Sequence, residues 1–218
     1  SNSTGKTTCG WFHPNNSDIL FASTHLDSQA LTKQKSEIKK RKEGLNRKYA
    51  WDYDENFDLF IKNISSDKIR QLTFDQGYDA EASISPDGKF IIYTSNRELY
   101  QSNGKPKDEN KSLSYYCDLY LYDFDLNKSE RVTWKDGYDG GPFFNGDGSS
   151  ICWRRFSEDG YKAEIFSMNL DDMKEVQLTK LDMMSWAPYF HPSDEYLIFS
   201  TNIHGYDNFE LYVVDRLG

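Results

Sequence analysis

The sequence predicts an all-β fold built from repeated four-stranded units, and three observations carry that expectation. The first is a turn. Residues 79–97 read as a short strand, the tight turn Ser85-Pro86-Asp87-Gly88, and a longer strand. Pro presets φ, Asp bonds its own backbone, and Gly accepts positive φ. The second is recurrence. Pro14 lies 72 residues before Pro86, Gly146 lies 60 after it, and Pro192 lies 46 further on. Each is followed by a β-branched or aromatic run of strand length. The third is a second signature at a regular distance behind each turn: residues 56–63, 117–124, 163–170 and 208–215. The unit is therefore strand A, turn, strand B, loop, strand C, turn, strand D. Its shortest complete copy is about 45 residues, the period of a four-stranded propeller blade.

Taken in order, the chain holds four such blades within one repetitive domain over 1–218, at about 7–73, 79–133, 139–179 and 185–218. In the first, strand B is Ile19–Ser23, strand C lies in 56–63, and strand D is the Leu-Thr run 70–73. The second has strand B over Phe90–Thr94, strand C in 117–124 and strand D at 131–133. The third has Ile151–Arg155, 163–170 and 176–179 in the same roles. The fourth has Tyr196–Thr201 and 208–215, and stops after strand C. Two insertions, 27–56 and 98–115, both fall between strands B and C. The first is basic, with Lys33, Lys35, Lys39, Lys40, Arg41, Lys42, Arg47 and Lys48 ahead of Tyr49, Trp51 and Tyr53. It reads as a solvated, partly helical loop or as a basic docking arm. The second includes the polar stretch 102–112.

Composition excludes several functions. A net charge of −9 argues against nucleic-acid partners, which need a basic footprint. No apolar run reaches the length of a membrane span, so no transmembrane segment is expected in this chain. Cys9, Cys117 and Cys152 lie too far apart in sequence for metal-type spacing and are expected as buried free thiols. There is no Gly-x-Ser-x-Gly elbow, no His-Glu-x-x-His pair and no glycine-rich nucleotide loop; Thr4-Gly5-Lys6-Thr7 lacks the upstream glycine of a P-loop. His13 and His191 share one turn slot, a structural duty. Neither a catalytic centre, a metal nor a cofactor is expected.

Binding residues follow from the topology. Strands in a blade alternate in direction, so the B–C loops and the D–A connections share one face. Strand A lines the central channel of a propeller. Two D–A junctions match: Gly77-Tyr78-Asp79-Ala80-Glu81 and Gly137-Tyr138-Asp139-Gly140-Gly141. The first unit has Thr7 and the fourth Ser185 where these have Asp79 and Asp139. Asp79, Glu81 and Asp139, with Tyr78 and Tyr138, are placed at the channel mouth as a cation or partner site, or as caps of loop amides. Arg97 and Arg155 leave strand B beside them, either to contact a ligand or to pair with Asp79 and Asp139 across adjacent blades.

The run Ser85–Lys89, then 91–97, 118–123 and 131–133, resembles the WD-like β-propeller repeat of the TolB family, and the likeness covers nearly all of the chain outside the insertions. The Gly-Tyr-Asp junctions look like a secreted or periplasmic subgroup. The third and fourth units depart from the pattern, with Asn145-Gly146-Asp147-Gly148 and His191-Pro192-Ser193-Asp194 at the turn. The resemblance implies a six-bladed propeller of which this chain is an incomplete part, associating with the remainder of its chain or with itself. It also implies a non-catalytic scaffold that binds a protein or peptide partner in the bacterial cell envelope. The alternative it leaves open is a substrate-gating propeller of a peptidase whose catalytic domain lies outside this chain.

Overall fold

The alternation of apolar residues through each strand B decides the architecture. Ile91 and Tyr93 point to one side of their strand and Ile92 to the other, and all are fully buried. A strand buried on both faces needs a sheet packed on each side. The computed structural model, which describes residues 3–45, 53–101, 108 and 110–218, supplies that arrangement. Four antiparallel sheets follow one another along the chain. The first contains β1 (Thr7–Phe12), β2 (Asp18–Ser23), β3 (Asp58–Asn63) and β4 (Ile69–Gln71). The second contains β5 (Ala80–Ile84), β6 (Phe90–Ser95), β7 (Asp118–Asp123) and β8 (Lys128–Arg131). The third contains β9 (Asp139–Phe144), β10 (Ser150–Phe156), β11 (Ala163–Asn169) and β12 (Lys174–Gln177). The last has three strands, β13 (Ser185–Phe190), β14 (Tyr196–Thr201) and β15 (Glu210–Asp215).

Three apolar layers lie between neighbouring sheets. Leu20, Leu59 and Ile61 of the first sheet meet Ile84, Ile91 and Tyr93 of the second. Ile92 and Leu119 meet Ile151, Trp153 and Phe166 of the third. Cys152 and Ile165 meet Leu197 and Phe199 of the last. Each of these layers is shared by two neighbouring blades. On the far side of the last sheet, Tyr189, Ile198 and Val213 stand in cross-strand register and remain 47%, 38% and 63% exposed.

Strand D differs from expectation. The Leu-Thr and Val-Thr pairs were predicted inside it, but they lie just past β4, β8 and β12. Each threonine is used as a clamp instead. The hydroxyls of Thr73, Thr133 and Thr179 accept from the amides of Leu59, Leu119 and Ile165 at 2.8–2.9 Å. They donate to the acid that opens strand C: Asp58, Asp118 and Glu164. With the Leu59, Leu119 and Ile165 amides taken by a hydroxyl instead of a strand-D carbonyl, the ladder ends there. Cys9 also departs from expectation: it is exposed, whereas Cys117 and Cys152 are buried.

The first insertion carries α1 (Ala30–Lys42), which buries only Ala30 and ends in Lys39, Lys40, Arg41 and Lys42, a charge pattern suited to the helix C-terminus. Arg47, Lys48, Tyr49 and Trp51 lie outside the described residues, as do 102–107 and Glu109. The second insertion carries α2 (Arg97–Gln101) and a 3₁₀ turn at Leu113–Tyr116. The two insertions meet: the Tyr100 hydroxyl donates to Glu55 at 2.7 Å and lies 2.8 Å from the Tyr53 hydroxyl.

Candidate functional site

The inner strands share one irregularity that shapes the channel mouth. The ladder between strands A and B slips by one residue in every blade. At the slip stand Cys9, Glu81, Gly141 and Ala187, with φ of 51°, 55°, 60° and 50°. They occupy the same position of the repeat. Left-handed backbone costs a non-glycine residue about 1 kcal/mol or more, and bulges of this kind re-aim side chains.

Just before the bulge sit Asp79 and Asp139, both fully buried. Arg97 Nη2 donates to Asp79 at 2.7 Å, and Ser95 Oγ donates to the same carboxylate at 2.5 Å. Arg155 binds both oxygens of Asp139, from Nε at 2.6 Å and Nη2 at 2.7 Å. Its Nη1 reaches Glu175 at 2.7 Å. The sequence predicts the pairing across adjacent blades, but each pair lies within its own blade. The reason is distance. Asp139 and Arg155 are direct cross-strand partners, about 5 Å apart, whereas packed sheets stand about 10 Å apart. Burial pushes the Asp79 carboxyl up to about 6, against the pull of Arg97, and raises Asp139 against that of Arg155. The equivalent position in the first blade holds a neutral version: Thr7 Oγ1 lies 3.2 Å from Ser23 Oγ.

An ion pair does cross between blades. Arg154, on β10, donates from Nη2 to Glu81 Oε2 at 2.9 Å. Tyr78 and Tyr138 both donate their hydroxyls to Glu81 Oε1. Gly141 makes room for this crossing, because a Cβ there would stand 2.1 Å from Arg154 Nη1. The guanidinium lies over Trp186, 4.1 Å from the ring centroid, and 5.4 Å from that of Tyr138. Such stacking on a desolvated cation contributes about 2 kcal/mol. Arg154 Nε is buried and has no hydrogen-bond partner among the described residues. Burial and the Glu81 charge raise the Tyr138 hydroxyl well above its ordinary value, so it stays a donor.

Over this network opens a cavity of about 600 Å³, lined by Tyr138, Arg154, Phe156, Trp186, Tyr115 and Lys111 among others. It joins the third blade, the last blade and the insertion of the second, all on the loop-bearing face. Phe156 and Trp186 meet edge to face, with centroids 5.6 Å apart. Lys111 lies over the Tyr115 ring at 4.7 Å and donates to the Glu158 carbonyl at 2.9 Å. Of the seven residues singled out from the sequence, Tyr138 lines this cavity, and Arg155 lines a neighbouring one of about 420 Å³ with Phe156 and Lys162. Tyr78 and Glu81 stand behind it through Tyr138 and Arg154. Asp79, Arg97 and Asp139 are tied into buried ion pairs. Among the described residues no group of three His, Cys, Asp or Glu side chains could hold a metal ion. No helix there is long and apolar enough to cross a membrane.

No family model matches the chain. Dipeptidyl-peptidase 5 of Porphyromonas gingivalis is 30% identical over 115 residues, which are 49% of this chain and 16% of that protein. Among solved structures, TolB from Acinetobacter baumannii superposes with a TM-score of 0.64 at 13% identity, over 97% of this chain and 41% of that one. The β-propeller domain of the Trilobed protease from Pyrococcus furiosus, described as having an open velcro topology, gives 0.53 at 11% identity, over 98% and 55%. These likenesses show the fold, a TolB-like β-propeller architecture. The chain spans about a sixth of the peptidase, and about two fifths and about half of the two solved chains.

Proposed function

We propose that this chain is a non-catalytic propeller unit that binds a protein or peptide partner on its loop-bearing face, in the periplasm or outside the cell. The single observation that carries the reading is the cavity over the Glu81–Arg154 bridge. Its size suits a few residues of polypeptide, its walls are aromatic, and its polar floor is fixed before any ligand arrives. Groups locked into ion pairs and ring stacks suit recognition better than proton transfer. The cell-envelope setting rests on the TolB resemblance of the repeat. The test is selection from a displayed peptide library against the whole chain, followed by hydrogen-exchange mapping of the selected peptide. Protection of 110–115, 156–160 and Trp186 supports the reading; protection confined to the opposite face refutes it.

One observation favours a second reading. The sequence similarity to a dipeptidyl-peptidase points to a propeller that docks or filters substrate for a peptidase domain outside this chain. A serine elbow or zinc ligands in the coding sequence beyond Gly218 would support it. Their absence from the complete gene would refute it.

A further inference from the structure

We infer that the Arg154 cavity takes an internal stretch of polypeptide, an aromatic side chain with a flanking backbone carbonyl, and discriminates against charged chain ends. This rests on the peptide-binding reading above and names what that site accepts.

Three features select such an occupant. The first is an unmet donor. Arg154 lines the cavity, its side chain is only 8% exposed, and its Nε has no partner among the described residues. Buried polar groups are nearly always hydrogen-bonded, so an occupant that draws the guanidinium toward the cavity meets a donor still short of an acceptor. The second is charge balance. Arg154 is already offset by Glu81 at 2.9 Å. Lys111 shares the cavity lining with Glu158 and Asp159. A carboxylate seeking Arg154 has to displace Glu81, which two tyrosine hydroxyls also hold. An ammonium seeking Glu81 finds Arg154 already bound to it. At the Arg154–Glu81 floor of the cavity either charge enters without a free counterion, and an uncompensated buried charge is strongly disfavoured. A peptide carbonyl fills the acceptor role and adds no charge. The third is the wall. Arg154 stacks on Trp186, and Phe156 meets that ring edge to face, which leaves an aromatic corner for an incoming ring.

The experiment titrates the whole chain by calorimetry with three probes that differ only at their ends. N-acetylphenylalaninamide is neutral, N-acetylphenylalanine carries a carboxylate, and phenylalaninamide carries an ammonium. The neutral probe is expected to bind at least about tenfold tighter than either charged one. Trp186→Ala, which alters a partly exposed side chain, should weaken the neutral probe about tenfold while leaving the fold intact by circular dichroism. Equal binding of all three probes, or tighter binding of a charged one, overturns the inference and leaves peptide binding standing. No saturable heat with any probe, together with no library peptide selected, overturns both. Neutral preference that survives Trp186→Ala unchanged overturns the assignment to this cavity.

Discussion

Replacing Glu81 with glutamine should destabilise the chain far more than a surface charge change would. The substitution removes the only carboxylate bonded to Arg154 among the described residues, at 2.9 Å, and leaves a guanidinium that is over nine-tenths buried. Removing one partner of a buried ion pair costs about 3–5 kcal/mol, because the remaining charge stays desolvated. The two tyrosine hydroxyls can still donate to the amide oxygen of the glutamine, and the Trp186 stack survives, which places the expected loss near the lower end, about 3 kcal/mol. In a protein of this length that corresponds to a drop in Tm of about 6–12 °C. Urea unfolding followed by tryptophan fluorescence measures it. A double-mutant cycle with Arg154→Gln isolates the pair. The two single variants should each lose about 3 kcal/mol, and the double variant should lose much less than their sum. A Glu81→Gln loss under about 1 kcal/mol, or additive losses in the cycle, would show that the inter-blade bridge does not hold these sheets together.

Gly141→Ala should lose about as much as Glu81→Gln, since its Cβ would collide with Arg154 Nη1 in a left-handed backbone; unchanged thermal unfolding would refute the role given to that glycine. Burial, with the nearby Asp79 charge, pushes the Asp58 carboxyl up to about 7, above its ordinary 3.8. A carboxyl raised on folding stabilises most below about pH 4 and loses that contribution as pH rises to about 7. Asp58→Asn should therefore flatten the fall in stability between about pH 4 and 7, and an unchanged urea-midpoint profile would count against it. The exposed row Tyr189, Ile198 and Val213 should drive self-association at high concentration. Ile198→Lys with Val213→Lys should shift sedimentation velocity toward monomer, whereas a monomeric parent chain would refute that use of the face.

The repeat was legible because turn chemistry and strand spacing are local. Pro86, Gly146 and Pro192 each open a β-turn at the start of strand B, and the B–C insertions fall on the face that carries the cavity. The strand-D error at Thr73, Thr133 and Thr179 has a local cause too: a threonine reads as a strand former, and nothing in its neighbours reveals that its hydroxyl caps the next strand. Asp79, Asp139, Arg97 and Arg155 stand out in the sequence, whereas the cross-strand register that sets Asp139 opposite Arg155 within one blade does not. Arg154 was passed over for a deeper reason. Side chains alternate along a strand, so Arg154 and Arg155 face opposite ways, and sequence alone does not say that Arg155 pairs within its own blade while Arg154 reaches a carboxylate of the neighbouring one. The bulge that aims Glu81 at Arg154 is silent in sequence, since Cys9, Glu81 and Ala187 are not residues that advertise left-handed backbone. The one hint was Gly141, standing alone at the position where its counterparts carry side chains. Tyr115 and Lys111 come from an insertion, which by definition carries no repeat signal.

Photo-crosslinking a selected peptide that carries a reactive phenylalanine analogue, and locating the label by mass spectrometry, tests the binding face most directly. Labels on 110–115, 156–160 or Trp186 are the expected result, because these residues rim the cavity over Arg154. Labels concentrated on the opposite turns, around the exposed Leu126, would contradict it.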